Sequence, residues 1–562
     1  MHLKARWYAR LGMQRYKQGR YQEAEQQWLA ALKAGLRPID SANICHNLAE
    51  LYRAQGRYAE AEPLHQQALA TREQTLGTHH PAVAVSRNNL ALLYYQQGRY
   101  AEAESLYLEA IATGERVMGS RHPTVITFLS NLAQLYEAQG RYAEAESLYQ
   151  RVLAAHEQMP GPRHGSLVIS LNNLAELYYQ QGQYAKAEPL YQRVRAIAEQ
   201  MLGSQHPLVA TILNNLGLLY DAQGRYADAE ALYQQALAIC EQTLGALHPD
   251  VATTLNNLAE IYRIHGRYAE AEPLHQRALA IREQALGTHH PGIANSLTNL
   301  ALLYYQQGRY AEAESLYQRA LAIREQALGT HHPDIANSLT NLALLYEAQG
   351  RYTLAVPLCQ RALAIREQIL GPDHPALANT LDSLAVVYYE QGEYALAEPL
   401  YQRALAIREQ ALGPRHPDVA ASLNNLAELY CRQGQYALAE PLHQRALAIN
   451  EEALGAGHPK VATNLNNLAM LYKAQGRYAE AESLCRRALA IREQVLGPRH
   501  PDVAVSLNNL ALLYYLQGKY AEAEPLYQRA IAIAEQALGP AHPEMATMLE
   551  NLKMLYEQRA KI

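Results

Sequence analysis

Cysteine is scarce: Cys45, Cys240, Cys359, Cys431 and Cys485 are five in 562 residues, with no CxxC pair and an odd total. This pattern fits a reducing compartment better than a disulfide framework. Net charge is small, 49 Lys and Arg against 54 Asp and Glu, so the chain lacks the basic stripe that a nucleic-acid binder needs. No stretch approaches 18 consecutive apolar residues, and the opening MHLKARWYARLGM has no apolar core of a signal peptide. Neither a membrane span nor a secretory leader is expected, which reads as a soluble cytoplasmic protein. GxGxxG, P-loop, GxSxG and HExxH patterns are all missing, so no catalytic residue, cofactor or metal ligand is assigned and the protein is read as a non-enzyme. Linkers are missing as well: no Ser/Gly tract or charge block divides the chain, and residues 1–562 read as one domain.

What fills the chain instead is repetition. Glycines followed by a Tyr two positions on recur from Gly56 to Gly518 at a constant spacing of 42. A fixed period of this length signals a solenoid, whose units bury their apolar faces only by stacking on their neighbours. The parts are a shorter N-terminal repeat over 1–39, twelve 42-residue repeats over 40–542, and a charged C-terminal capping helix over 543–562. Trp7 and Trp28, the only tryptophans, fall in the first unit and are expected to fill its core.

One unit explains the rest. After His248, residues Leu255, Leu258, Ala259 and Tyr262 gather on one side of a helix, here called A. Pro249 suits its first turn, and Asp250 complements the positive end of its dipole. Gly266 ends it. In helix B, Tyr268, Ala271, His275, Ala278 and Arg282 share a side, and the small alanines admit close approach. Gly287 stops that helix in a left-handed turn. Pro273 lies beyond the free first turn of helix B, which predicts a late start or a mild bend. In the loop Met159 to Gly165, Gly165 stands where other units have the proline after the loop histidine, which predicts a local irregularity. The loop histidines, His79-His80, His289-His290, His331-His332, His374, His416 and His500 among them, recur once per unit. That is too far apart to share one ion, so they read as shaping the extended step into helix A.

The face of helix A opposite its apolar stripe predicts a groove. Its first row holds Asn88, Asn172, Asn214, Asn256, Asn424, Asn466 and Asn508, amides able both to donate to and to accept from a peptide backbone. A second row carries Glu176, Glu260 and Glu428 among apolar residues. A third, at the position of Arg263, contains Tyr95, Tyr179, Tyr305, Tyr389 and Tyr515, rigid amphipathic side chains suited to anchoring a partner. The second Asn of each pair, Asn257 and its equivalents, recurs so uniformly that it reads as an inter-repeat hydrogen bond to backbone. Arg282, Arg324, Arg366, Arg408 and Arg492 on the B helices read as partners of helix-terminal carbonyls or of a neighbouring Glu.

The segments Leu423 to Tyr430, Gly476 to Glu493 and Leu496 to Ala504 read LNNLAELY, GRYAEAESLCRRALAIRE and LGPRHPDVA. With these motifs the chain resembles the 42-residue tetratricopeptide repeats of kinesin light chains and of bacterial proteins built from the same unit. The resemblance implies an all-α, right-handed superhelical α-solenoid whose concave face, lined by A helices, binds extended peptide segments of partner proteins. Kinesin light chains place a heptad coiled coil before their repeats, and this chain opens directly in a repeat. The expected function is a non-catalytic protein-interaction scaffold, monomeric and without membrane or nucleic-acid partners. The alternative is a sensor or regulatory module of a bacterial signalling system acting with a separate protease or nucleotide-switch ATPase.

Overall fold

The computed structural model describes residues 2–17, 21–54, 57–158, 164–538 and 542–560. Gly56 and residues 159–163 of the irregular loop lie outside them. The described residues form 27 α-helices, α1 to α27, joined by short turns. Odd-numbered members from α3 (Pro38–Ala54) onward are A helices and even-numbered ones from α4 (Tyr58–Leu76) are B helices. None of the described helices is long and apolar enough to cross a membrane.

Local chemistry sets the boundaries of each helix. In the sixth full unit α13 (Pro249–Ile264) opens at His248, whose backbone is extended and whose Nδ1 accepts from the Asp250 N–H at 3.2 Å. The imidazole thus takes the N-cap place usually held by Ser, Thr or Asp. Gly266, at φ +66°, turns the chain while the Arg267 N–H returns to the Tyr262 carbonyl at 2.8 Å. Helix α14 (Tyr268–Leu286) then runs unbroken through Pro273. The late start anticipated from that proline does not occur: the Ala271 N–H already bonds to the Arg267 carbonyl at 3.1 Å. The residue four before the proline, Ala269, is exposed, which leaves its carbonyl open to water. Helix α9 (His164–Gln180) likewise forms without its proline, with Gly165 inside its first turn.

Val251, Ala252, Leu255, Leu258, Ala259 and Ile261 of α13 are buried against Ala271, Ala278 and Ile281 of α14 and its neighbours. Trp28 is buried beside Gly12, but Trp7 is 57% exposed and fills no core. On the terminal helix α27 (Pro543–Arg559) the exposed side mixes Glu550, Lys553 and Glu557 with Leu549, Met554 and Tyr556.

Polar ladders keep the units in register. Arg267 ion-pairs with Glu270 of its own unit and with Glu230 of the unit before, and its guanidinium lies 3.9 Å from the centroid of the Tyr262 ring. The same triad recurs around Arg99, Arg141 and Arg309. The GRYAEAE signature is therefore an inter-repeat clamp. The B-helix arginines correct the expectation from sequence, because they reach neither helix-terminal carbonyls nor Glu as a rule. Arg324 is buried and donates to Ser338 of the next A helix at 2.5 Å and to Asn295 of its own at 2.6 Å. Arg72 makes the same bridge to Ser86 and Asn43, and Arg492 to Ser506 and Thr463.

The solenoid also closes on itself. His332, which caps α17 (Pro333–Ala348), donates from Nε2 to the Gln96 carbonyl at the end of α5 (Pro81–Gln96) at 2.8 Å. His374 does the same to Ala138 of α7 (Pro123–Ala138) at 2.7 Å, and His500 to Ile264 of α13 at 2.5 Å. His416 and His458 stand at the equivalent places over Gly182 and Gly224, near the Gln180 and Ala222 carbonyls, but their Nε2 atoms do not complete a bond. Each upper helix is the A helix six units after the lower one, so the superhelix turns about once in six units and its A helices stack end to end. One neutral imidazole caps two helices, accepting at the positive end of one and donating at the negative end of the other.

Candidate functional site

Consecutive A helices approach one another, as α5 does α7 and α17 does α19 (Pro375–Glu390), whereas consecutive B helices stand further apart. The A helices therefore line the inner, concave side. Six helices in a ring at the usual 8–10 Å spacing would leave a channel of roughly 4–10 Å once helix diameters of about 10–12 Å are subtracted. That width suits an extended polypeptide and is too narrow for a second helix.

The asparagines of the first row form the frame of this wall. Asn256 is buried, donates to Ser296 of the next A helix at 3.1 Å and meets Nδ1 of His275 through its oxygen at 3.0 Å. Asn466 donates to Ser506 at 3.1 Å and Asn214 to Thr254 at 2.9 Å, and both are buried. Asn88, also buried, accepts from Asn131 of the next unit at 2.9 Å; Asn172 accepts from Asn215 at 2.7 Å, and Asn508 from Asn551 at 3.0 Å. Asn424 contacts Nδ1 of His443 at 2.9 Å. The second Asn of a pair thus reaches across the repeat boundary, but to the first Asn's side chain and not to backbone. An interleaved amide ladder engages most of these polar groups within the protein, while the Oδ1 atoms of Asn214 and Asn466 are buried without a hydrogen-bond partner.

The other two rows are more open. Tyr95, Tyr179, Tyr305, Tyr389 and Tyr515 are half-buried, each leaning on the first Tyr of its own B helix with ring centroids 5.7–5.9 Å apart. Glu176 accepts from Tyr191 at 2.7 Å, and Glu260 is ion-paired with Arg263. Glu428 is 48% exposed and accepts from Tyr389 of the preceding A helix at 3.2 Å.

Among its tyrosines the third row also holds the carboxylates Glu137, Asp221 and Glu347, alongside Arg263, Cys431 and Lys473, and burial strips the carboxylates of water. Burial pushes Glu137 up to about 7, with repulsion from Glu176 adding to it and a 2.9 Å bond from Tyr149 opposing it. Burial likewise raises Asp221 to about 6, and Glu260 adds to the effect. Glu347 is raised for the same reason. A cavity of about 170 Å³ lies against Tyr95, Gln134, Glu137, Ala138 and Gln180, drawn from three successive A helices. The signal for Glu137 and Asp221 in the sequence was acidic drift at a position that holds Tyr in five units and Arg53, Arg263, Cys431 and Lys473 in others.

A tetratricopeptide repeat model matches residues 40–116, 87–158, 124–200, 166–242, 250–326, 292–356, 334–410, 382–452, 418–484, 460–536 and 507–562. No curated protein sequence matches the chain. Among solved structures it is similar to a putative kinesin light chain from Podosopora anserina with nearly identical TPR-like repeats: 31% identity over 36% of this chain and 97% of that one, TM-score 0.32. It is also similar to BtubC (BKLC) from P. vanneervenii, with 31% identity over 42% of this chain and 92% of that one, TM-score 0.33. A Rap protein complexed with competence and sporulation factor aligns over 66% of this chain and 98% of its own at 15% identity, TM-score 0.45.

Proposed function

Because the chain belongs to the tetratricopeptide repeat family, we propose that it is a non-catalytic scaffold holding an extended, basic segment of a partner protein against the inner face of its A helices. The observation that carries this reading is the row of desolvated carboxylates at Glu137, Asp221 and Glu347, set between tyrosines. A Lys or Arg side chain placed there ionises a carboxyl already stripped of water and pairs with it, the setting in which charge-assisted hydrogen bonds are strongest. Tyr95, Tyr179, Tyr305, Tyr389 and Tyr515 supply flat contact area between the charges. Glu176, Glu260 and Glu428 add acidic acceptors, with Arg263 setting a local reversal of sign, and the asparagine row braces the wall. The scaffold acts as a monomer.

The test is binding of labelled Lys/Arg-containing extended peptides by anisotropy. A bound cation holds Glu137 ionised, so complex formation expels its proton and affinity rises between pH 6 and 8. Glu137→Gln reduces that pH dependence to the part that Asp221 and Glu347 contribute, and Tyr305→Ala with Tyr389→Ala weakens binding by about 1–2 kcal/mol each. Equal affinity for acidic and basic peptides, or unchanged capture by the tyrosine variants, overturns the assignment.

A further inference from the structure

Three units place a histidine where the others hold Tyr or Cys on helix B: His65, His275 and His443. Each faces a glutamate on its own helix A, respectively Glu50, Glu260 and Glu428. In two of the three, an arginine one turn beyond the glutamate neutralises it: Arg53 donates to Glu50 at 2.8 Å, and Arg263 pairs with Glu260. In the third unit that arginine is replaced by Cys431. There the thiol Sγ, a Glu428 carboxylate oxygen and a ring nitrogen of His443 all lie within 4.8 Å of one another.

The imidazole is already set for ligation. His443 is fully buried, its Nδ1 meets Asn424 Oδ1 at 2.9 Å, and its Nε2 is buried with no hydrogen-bond partner. An Nδ1–H donated to Asn424 leaves the Nε2 lone pair directed at the cluster, the supporting arrangement that fixes the tautomer of metal-binding histidines. We propose that Glu428, Cys431 and His443 bind a single divalent ion of the zinc class, with a fourth coordination position open to the channel. One nitrogen, one sulfur and one carboxylate oxygen are a borderline-soft set that favours zinc or cobalt over magnesium or calcium. A tetrahedral ion needs ligand atoms about 3.4–3.8 Å apart. The exposed Glu428 can swing to close the remaining gap, and its Oε2 is the free oxygen, since Oε1 faces Tyr389 at 3.2 Å and Arg432 at 3.6 Å.

The facing cations are Arg432, held on the Tyr389 hydroxyl at 2.6 Å, and Lys473 of the next unit, whose burial holds its ammonium below the usual range. The ion takes the place that Arg53 and Arg263 fill elsewhere. Burial pushes the Cys431 thiol up to about 12, so binding forms the metal–sulfur bond and releases one proton to solvent.

Cobalt(II) added to the reduced full chain is the probe. One ion per chain is expected to give a near-ultraviolet thiolate charge-transfer band that zinc displaces. Cys431→Arg recreates the Glu260–Arg263 pair, and His443→Tyr recreates the residue found at Tyr401, so both fit the fold. Each is expected to abolish the band and to weaken zinc binding at least tenfold. On the unaltered chain, zinc should also protect Cys431 from alkylation; it is the one cysteine that is not fully buried. A missing thiolate band, a band that survives either variant, or undiminished alkylation in zinc overturns the proposal. Cobalt bound without such a band belongs to exposed imidazoles such as His79, His80, His289 and His331 and counts against it equally.

Discussion

Changing His332, His374, His416, His458 and His500 together to Asn should lengthen the molecule without unfolding it. Asn is a good N-cap, so the A helices keep their first turns, but its shorter side chain cannot reach the carbonyl one superhelical turn below. The three completed bonds, from His332, His374 and His500, contribute about 0.5–1.5 kcal/mol each. The same contacts are open to pH. Burial lowers all five histidines, His458 to about 4 with Lys460 adding to the effect, while Asp334, Asp418 and Asp502 partly oppose it at His332, His416 and His500. A histidine whose affinity for a proton is depressed in the wound state binds more protons when the turns part. Winding is therefore at full strength above the free value near 6.5 and weakens as pH falls below it. For His458 alone the loss is roughly 1–2 kcal/mol at pH 5.5 and about 3 kcal/mol below pH 4. Protonating Nδ1 removes the cap acceptor as well.

Small-angle scattering reads this out. An A helix of 16 residues is about 24 Å long, so stacked turns have a pitch close to 30 Å. Maximum dimension and radius of gyration should rise from pH 7.5 to 5 at constant helical circular dichroism, and the Asn variant should be extended already at pH 7.5. The first-turn histidines are an internal control, since His122 and His206 are exposed with no turn beneath them; converting those to Asn should leave the dimensions unchanged. Equal dimensions for the Asn variant and the unaltered chain across this range would refute end-to-end stacking as the source of winding.

Gly266→Ala and Gly434→Ala separate local turn strain from the contact between turns. Both sites have positive φ, +66° and +72°, but a Cβ on Gly266 would sit 2.6 Å from Pro501 whereas Gly434 has open space. Each change costs about 1 kcal/mol for the left-handed conformation, and Gly266→Ala adds about 1–3 kcal/mol of overpacking, visible as a lower Tm and a longer particle. Arg324→Met should lower stability by about 2–4 kcal/mol in urea unfolding, because Ser338 and Asn295 lose a buried donor together. A change below about 1 kcal/mol there would mean that water replaces the bridge.

The 42-residue period made the helical hairpin legible down to its residues: Pro249 at the helix start, Gly266 and Gly287 at the ends, Ala271 and Ala278 at the close approach. Those features are local, set by backbone conformation and by contacts within a unit or with the next one. The stacking of turns was not legible, because it joins residues 236 apart, and that separation is no multiple of the repeat. It equals six periods less the length of one helix, a sum that only three-dimensional curvature supplies. The histidines were visible in every 42-residue unit after the first, yet their sequence context is the same in the first turn, where His122 and His206 face solvent, and in the second, where His332, His374 and His500 bridge. The binding rows were legible in part. Angular position put Tyr179 and Asn256 on one face, but could not tell that Asn256 is consumed by Ser296 and His275 while Tyr179 stays half-open.

Closure of the turns changes how a partner can enter. An open superhelix admits a chain from the side; here the stacked A helices shut that route along the middle of the molecule, so a segment must thread from an end or wait for the turns to part. Association should then be slow, with a rate set by opening and not by encounter, below the usual range of roughly 10⁵–10⁷ M⁻¹s⁻¹. Parting the turns by the five His→Asn changes should raise the on-rate for a basic peptide at least tenfold at pH 7.5. Dissociation should quicken as well, because the wall that desolvates Glu137 loosens with it. Stopped-flow measurement at several peptide concentrations distinguishes the routes: gating by the protein gives a rate that saturates with concentration, and the Asn variant restores linearity. Identical, linear kinetics for both proteins would show that the partner binds on an outer surface and never enters the channel.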